Sequence, residues 1–143
     1  MNYPIEFAEY CETLTLKLTA LRKAVLYILW CAKKPTKAYD VLNNLLKIKP
    51  NATPPTVYRA LDFFVASGIL HKIESIQSYT LCCEPVKQQP TEVLMVCNMC
   101  HQVVETYDTL VHTLFTKLAD LHLFQLNQNA IELKGTCQDC LEV

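Results

Sequence analysis

Four of the eight cysteines fall into two identical knuckles, Cys97-x-x-Cys100 and Cys137-x-x-Cys140, with 36 residues between Cys100 and Cys137. Two such pairs can close a tetrahedron of thiolates. Zinc, borderline soft and without a geometric preference of its own, is the usual occupant of a closed four-sulfur structural site. A pair of redox dithiols and an iron–sulfur cluster are the other chemistries open to four thiols. The interval exceeds that of a zinc ribbon, so a folded element is expected between the knuckles. Cys11, Cys31, Cys82 and Cys83 lie outside the pattern.

A second set of donors flanks the first knuckle. His71 and Cys82 precede it, while Glu92 and Glu105 stand on either side of it. Each has a simpler use, as a surface histidine, a small buried cysteine or a solvated carboxylate. Should they meet around an ion, the thiolate favours zinc over manganese or magnesium, which prefer oxygen ligands. Enzymatic alternatives are poorly served. None of His71, His101, His112 and His122 lies near a distinctive nucleophile motif, and a Cys–His pair is not recognisable as a catalytic dyad from sequence alone. A metal-bound water at the second site is the one enzymatic opening. Only two glycines, Gly68 and Gly135, occur, so neither a GxGxxG nor a GxxxxGK[ST] phosphate loop can be written.

These residues must be positioned by regular elements, and the front half reads as short helices. Thr19 is a candidate N-cap for a helix in which Leu21, Val25, Leu26, Ile28 and Leu29 recur until Lys33-Lys34-Pro35 stops it. Ala38, Val41, Leu42, Leu45 and Leu46 repeat the period before Pro50. A third helix is expected after the turn at 51–55, with Val57, Ala60, Leu61, Phe64 and Val65 on one face. Arg59 points away from that face, flanked by Thr56, Tyr58 and Asp62, and Gly68 supplies the stop. Runs at 69–73 and 79–82 around a polar turn then read as a hairpin. Three helices followed by a hairpin is the order of a winged helix-turn-helix, in which the third helix enters the DNA major groove.

Residues 83–91 carry two prolines and read as a linker. Beyond them, strands are expected at 93–96 and 103–104, a helix over 107–119, and strands at 121–126 and 130–133. The expected organisation is therefore a winged-helix DNA-binding domain over 1–82, a linker, and a small α+β domain over 92–143 that needs a metal staple. Charge divides at the same place: 1–81 hold ten lysines and arginines against six acids, and 82–143 hold three against eight. A basic front half suits a polyanion; solvated faces of mixed sign are the alternative. With 51% hydrophobic and 19% charged residues the chain can bury ordinary cores. It lacks both a membrane-length apolar run and a signal-peptide pattern, so a cytoplasmic protein is expected.

The stretch Thr53-Pro-Pro-Thr-Val-Tyr-Arg-Ala-Leu-Asp-Phe-Phe64, followed by Gly68-Ile-Leu-His71-Lys-Ile-Glu-Ser75, resembles the ferric uptake regulator family, most closely its zinc uptake regulator branch. The resemblance runs from Leu18-Thr19-Ala20-Leu21-Arg22 through Ala38-Tyr39-Asp40-Val41-Leu42 to Ile131-Glu132 and the second knuckle. It implies a cytoplasmic repressor, not an enzyme, that binds double-stranded operator DNA as a zinc-loaded homodimer and takes neither a membrane nor a small organic substrate. The C-terminal domain would dimerise. Two zinc ions per protomer are implied. Cys97, Cys100, Cys137 and Cys140 match the structural site, and His71, Cys82 and Glu105 match three regulatory ligands. The family's hinge histidine is absent; Glu92 is the nearest equivalent, with Cys83, His101 or water as other fourth ligands. Gln128 and Lys134 stand where histidines commonly flank the Ile-Glu pair, so no third site is expected. Thr56, Tyr58 and Arg59 are the implied DNA contacts. A same-fold sensor of iron, manganese or peroxide, and a zinc-stapled thiol redox protein, are the alternatives.

Overall fold

Apolar spacing in the front half builds the helices in the expected places. The computed structural model describes residues 2–82, 92–126 and 131–142. The chain divides into two compact units, Met1–Val86 and Lys87–Val143. The proposed linker at 83–91 lies outside the described residues.

In the first unit, α2 (Ala20–Ala32) starts at Thr19, whose hydroxyl accepts a hydrogen bond from the Arg22 amide at 3.2 Å, and ends at Lys33 with φ of 54°. Next come α3 (Ala38–Leu46) and α4 (Pro54–Ala66), the latter opened by two prolines in its first turn, where their missing N–H groups go unused. Val25, Leu26 and Leu29 of α2 close on Val41 and Leu45 of α3 and on Val57, Leu61 and Phe64 of α4 to form the core. Burial of each such side chain stabilises by about 1.5–3 kcal/mol. Gly68 terminates α4 at φ 78°, and the Ile69 amide reaches back to the Phe64 carbonyl at 3.0 Å, a Schellman ending. The chain then runs into β2 (Leu70–Ile73), a single 3₁₀ turn over Glu74–Ile76, and β3 (Ser78–Leu81).

Two elements of the first unit were not anticipated. Helix α1 (Ile5–Thr13) plants Phe7 among Tyr3, Tyr10, Tyr27 and Trp30, with ring centroids 5.0–6.3 Å apart. Strand β1 (Thr36–Lys37) pairs with β3, making the wing a three-stranded sheet in the order β1-β3-β2.

In the second unit, β4 (Glu92–Cys97) is central, antiparallel to β5 (Val103–Tyr107) and parallel to β6 (Ile131–Gly135). Between β5 and β6 lies α5 (Thr109–Leu121), with Asp108 as N-cap accepting from the Leu110 and Val111 amides. The helix thus starts after Tyr107, which belongs to β5. The strand expected at 121–126 does not form. Leu121 is the last residue of α5, and the Leu123 and Phe124 amides turn back to the carbonyls of Asp120 and Ala119 at 3.1 and 2.8 Å. Leu123 sits at φ 54°, the left-handed residue of this helix ending. Alternating leucines there reflect a helix terminus rather than a pleat. A short helix α6 (Gln138–Leu141) follows the last strand. Among the described residues, no helix is long and apolar enough to cross a membrane.

Candidate metal centre and nucleic-acid interface

Strand β4 delivers Cys97 to the end of the sheet, and the chain reverses at once. The Cys97 amide donates to the Gln102 carbonyl at 2.9 Å and the His101 amide to the Cys97 carbonyl at 3.0 Å, with His101 in the left-handed region at φ 62°. Because β6 runs parallel beside β4, with Gly135 opposite Cys97, it carries Cys137 to the same end. An Asn98 amide bond to the Gly135 carbonyl, 2.8 Å, ties the two turns together, and the first turn of α6 folds Cys140 back toward Cys137. The expected folded insert between the knuckles is this β5–α5–β6 segment.

The four sulfur atoms lie within 4.8 Å of one another, and those of Cys100 and Cys137 are 3.6 Å apart. A disulfide needs about 2.0 Å, whereas zinc–sulfur bonds of about 2.3 Å put the corners of a tetrahedron about 3.8 Å apart. The donor set therefore fits zinc. Protonation points the same way. Amides of Cys100, Cys137 and Met99 hold the Cys97 thiol down at about 6, the latter two donating to its sulfur at 3.4 Å. The Cys140 thiol is pushed up to about 12, first by its hydrogen bond with Cys137 and then by burial. Cys100 is raised despite the Gln102 amide, which lowers it, because the Cys137 and Cys97 thiols and burial act against ionisation. One thiolate forms readily and the next ones repel it, a conflict that a divalent cation removes.

The wing holds two of the other donors. Backbone pairing sets His71 opposite Thr80, and the Cys82 amide continues the ladder to the Ile69 carbonyl at 2.8 Å. With a side-chain period of two, His71 and Cys82 are diagonal neighbours on one sheet face. Their donor atoms lie within 4.8 Å. Cys82 is buried and His71 half-buried. An imidazole beside a thiol is a nitrogen–sulfur pair suited to zinc. Glu105 is half-buried in β5, opposite Leu94 of β4. Glu92 opens β4 opposite Tyr107. His101 is exposed in the first knuckle, and Cys83 lies outside the described residues.

Helix α4 buries Val57, Ala60, Leu61 and Phe64 and leaves Tyr58 and Arg59 exposed, with Thr56 half-buried. The Thr53 and Thr56 hydroxyls bond each other at 2.8 Å, fixing the first turn. Side chains suited to phosphate and base edges thus occupy the outward face of the third helix of the helix-turn-helix.

Sequence reading passed over an apolar surface on the second unit. Val104, Met95 and Leu133 stand side by side across β5, β4 and β6, all exposed. Leu110, Leu114, Leu118 and Leu121 form an exposed stripe along α5, whose one buried residue is Ala119. The signal was the unbroken apolar run Val93-Leu94-Met95-Val96, which leaves β4 no polar face.

Comparison with known proteins places these features in context. The model of the ferric uptake regulator family matches residues 13–134. The zinc uptake regulation protein of Escherichia coli (strain K12) is 37% identical over 137 residues, covering 93% of this chain and 78% of that protein. Among solved structures, a zinc uptake regulator complexed with zinc and DNA superposes with a TM-score of 0.83 at 36% identity, covering 96% of this chain and 91% of that one. The crystal structure of holo XcZur gives 0.81 at 34% identity, covering 96% and 99%.

Proposed function

Because the chain belongs to the ferric uptake regulator family, we propose that it is a zinc-responsive transcription regulator controlling zinc uptake genes, acting in the cytoplasm as a homodimeric repressor on operator DNA. Each protomer carries two zinc ions. Cys97, Cys100, Cys137 and Cys140 hold the structural ion; His71, Cys82, Glu105 and a fourth ligand, Glu92 in this reading, hold the regulatory one. The observation that carries the proposal is the meeting of His71 and Cys82 donors on one face of the wing. Such a pair binds zinc weakly alone and strongly when a carboxylate completes it. Ligands drawn from both units make the ion a tether that favours one relative orientation, and with it one spacing of the two recognition helices of a dimer. No catalytic role is assigned to any residue.

The zinc content of reduced, purified protein tests this directly. Two ions per protomer, one of them released by mild chelation and restored on resupply, are expected. A single tightly held ion with no second one taken up would contradict the regulatory site.

The homodimer rests on the apolar row of the sheet and the α5 stripe, which a second copy would cover. Leu114, 56% exposed in mid-stripe, is the place to test it. Leu114→Asp would bury a charge in the interface, and sedimentation should then find a monomer that keeps its structural zinc.

Arg59→Ala is expected to weaken operator binding by about 1–3 kcal/mol, or roughly 5- to 150-fold, while both zinc ions remain bound. Fluorescence anisotropy with labelled duplex, alongside zinc analysis, checks both halves of that outcome.

A further inference from the structure

At the edge of the outward face of α4 stands an aromatic residue, Phe63. At about 100° per residue, Phe63 lies about 40° around the helix from Arg59 and about 60° from the buried Ala60, at the edge between the outward face and the core. Phe63 is half-buried: it packs against the core, edge-on to Phe64 with ring centroids 5.4 Å apart, and the Arg22 guanidinium of α2 lies over its ring at 3.7 Å from the centroid.

Arg22 reaches this place from a fixed base. Its amide caps onto Thr19 at 3.2 Å, and its Nη1 donates to the Lys17 carbonyl at 3.4 Å. That bond uses one of five N–H donors. No carboxylate pairs with Arg22 among the described residues. A cation in the first turn of a helix also opposes the helix dipole, so α2 gains nothing from a charge here. The result is a planar cation, stacked on one side and tied at one corner, over a ring that lies about 40° around α4 from Arg59. Stacking removes much of the rotamer freedom an arginine loses on binding, which is how a charged side chain is made ready for a planar anionic oxygen pair.

We propose that Arg22 is a phosphate contact of the DNA-binding face, preorganised by Phe63. This rests on the reading of α4 as the recognition helix. The oxygen atoms it would take belong to the duplex backbone, so Arg22 adds affinity without reading sequence and steadies the register in which Arg59 meets the bases. Phe63 acts through Arg22 and is a positioning residue.

The test measures zinc-loaded protein on a labelled duplex selected by the wild-type protein from a random-sequence pool, across a range of potassium chloride concentrations. Each phosphate contact contributes about 0.9 to the slope of log affinity against log salt. Arg22→Gln in both protomers of the dimer is expected to lower that slope by about two and low-salt affinity by about tenfold or more. Arg22→Lys should keep the slope and lose only part of the affinity, because the charge remains while the stacked plane is gone. Phe63→Leu should behave like Arg22→Lys. If Arg22→Gln leaves the slope at its wild-type value, the inference is overturned, whether affinity is unchanged or falls together with the thermal unfolding midpoint. Failure of the underlying reading is recognised separately, since wild-type protein would then bind the pool without dependence on zinc or on Arg59.

Discussion

Cys137→Ser is expected to cost the second unit its fold. The variant should retain less than one zinc ion per protomer after gel filtration, sediment as monomer or aggregate, and fail to bind DNA even in excess zinc. The size of the effect follows from the geometry. Cys137 donates its amide to the Cys97 sulfur at 3.4 Å and holds its own sulfur 3.6 Å from that of Cys100, so it touches both halves of the cluster. Closed zinc sites of this kind contribute about 10–16 kcal/mol of apparent binding free energy, against a total stability of about 5–15 kcal/mol for an ordinary domain. The unit has little else to rely on, because β4 is its best-buried strand and α5 buries Ala119 alone. Zinc analysis and sedimentation together check the prediction. A Cys137→Ser protein that is dimeric with its full zinc complement would show that the four thiols are not the staple.

His71→Ala should have a contrasting effect, leaving the dimer and the knuckle zinc in place while removing the response to zinc. The side chain is half-buried in β2 and its backbone pairing with Thr80 survives truncation, so the loss of stability should be about 1 kcal/mol. What disappears is the exchangeable ion. Allosteric coupling of about 1–3 kcal/mol corresponds to a 5- to 150-fold gain in DNA affinity on zinc binding, and the variant should show none of it. Anisotropy titrations at buffered free zinc, with zinc content measured in parallel, would detect this. Reciprocity adds a check on the wild type, in which operator DNA must tighten the exchangeable zinc by the same factor. Full zinc response in His71→Ala would remove the sensor assignment and leave the structural site untouched.

These two substitutions draw on features of different legibility. The knuckles were readable because Cys-x-x-Cys is a local geometry, and two copies in one small domain have little else to do. Helices α2, α3 and α4 were readable because the apolar period was clear in each, with Thr19 capping α2 and prolines marking the boundaries around them. Helix α1 was passed over although Phe7, Tyr10, Cys11 and Leu14 recur at helical spacing. Pro4 precedes it without a capping side chain, and its aromatic residues show their purpose only beside Tyr27 and Trp30. Strand β1, two residues long, exists through its pairing with β3 and carries no signal of its own. At the end of α5, Leu121 and Leu123, like Phe124 and Leu126, are spaced two apart as in a strand, and only the amide bonds of Leu123 and Phe124 show the chain closing a helix. Tertiary contacts thus give α1 and β1 their places, while local helix-closing bonds decide the end of α5.

Within the metal-ligand candidates the same division holds. Period-two alternation from the hairpin register is enough to put His71 and Cys82 on one face, once the register is known. Nothing local identifies Glu105, whose residue type and strand position are ordinary; its assignment comes from the family resemblance. The exposed row of Val104, Met95 and Leu133 was hidden because a strand apolar on both faces reads equally well as a buried core strand.

The most direct test of the account is DNA affinity as a function of buffered free zinc, using reduced wild-type protein whose knuckle zinc has been verified in place. Affinity should rise by roughly 5- to 150-fold over the range in which one further ion per protomer binds. Equal affinity with and without that exchangeable ion would contradict zinc-responsive regulation.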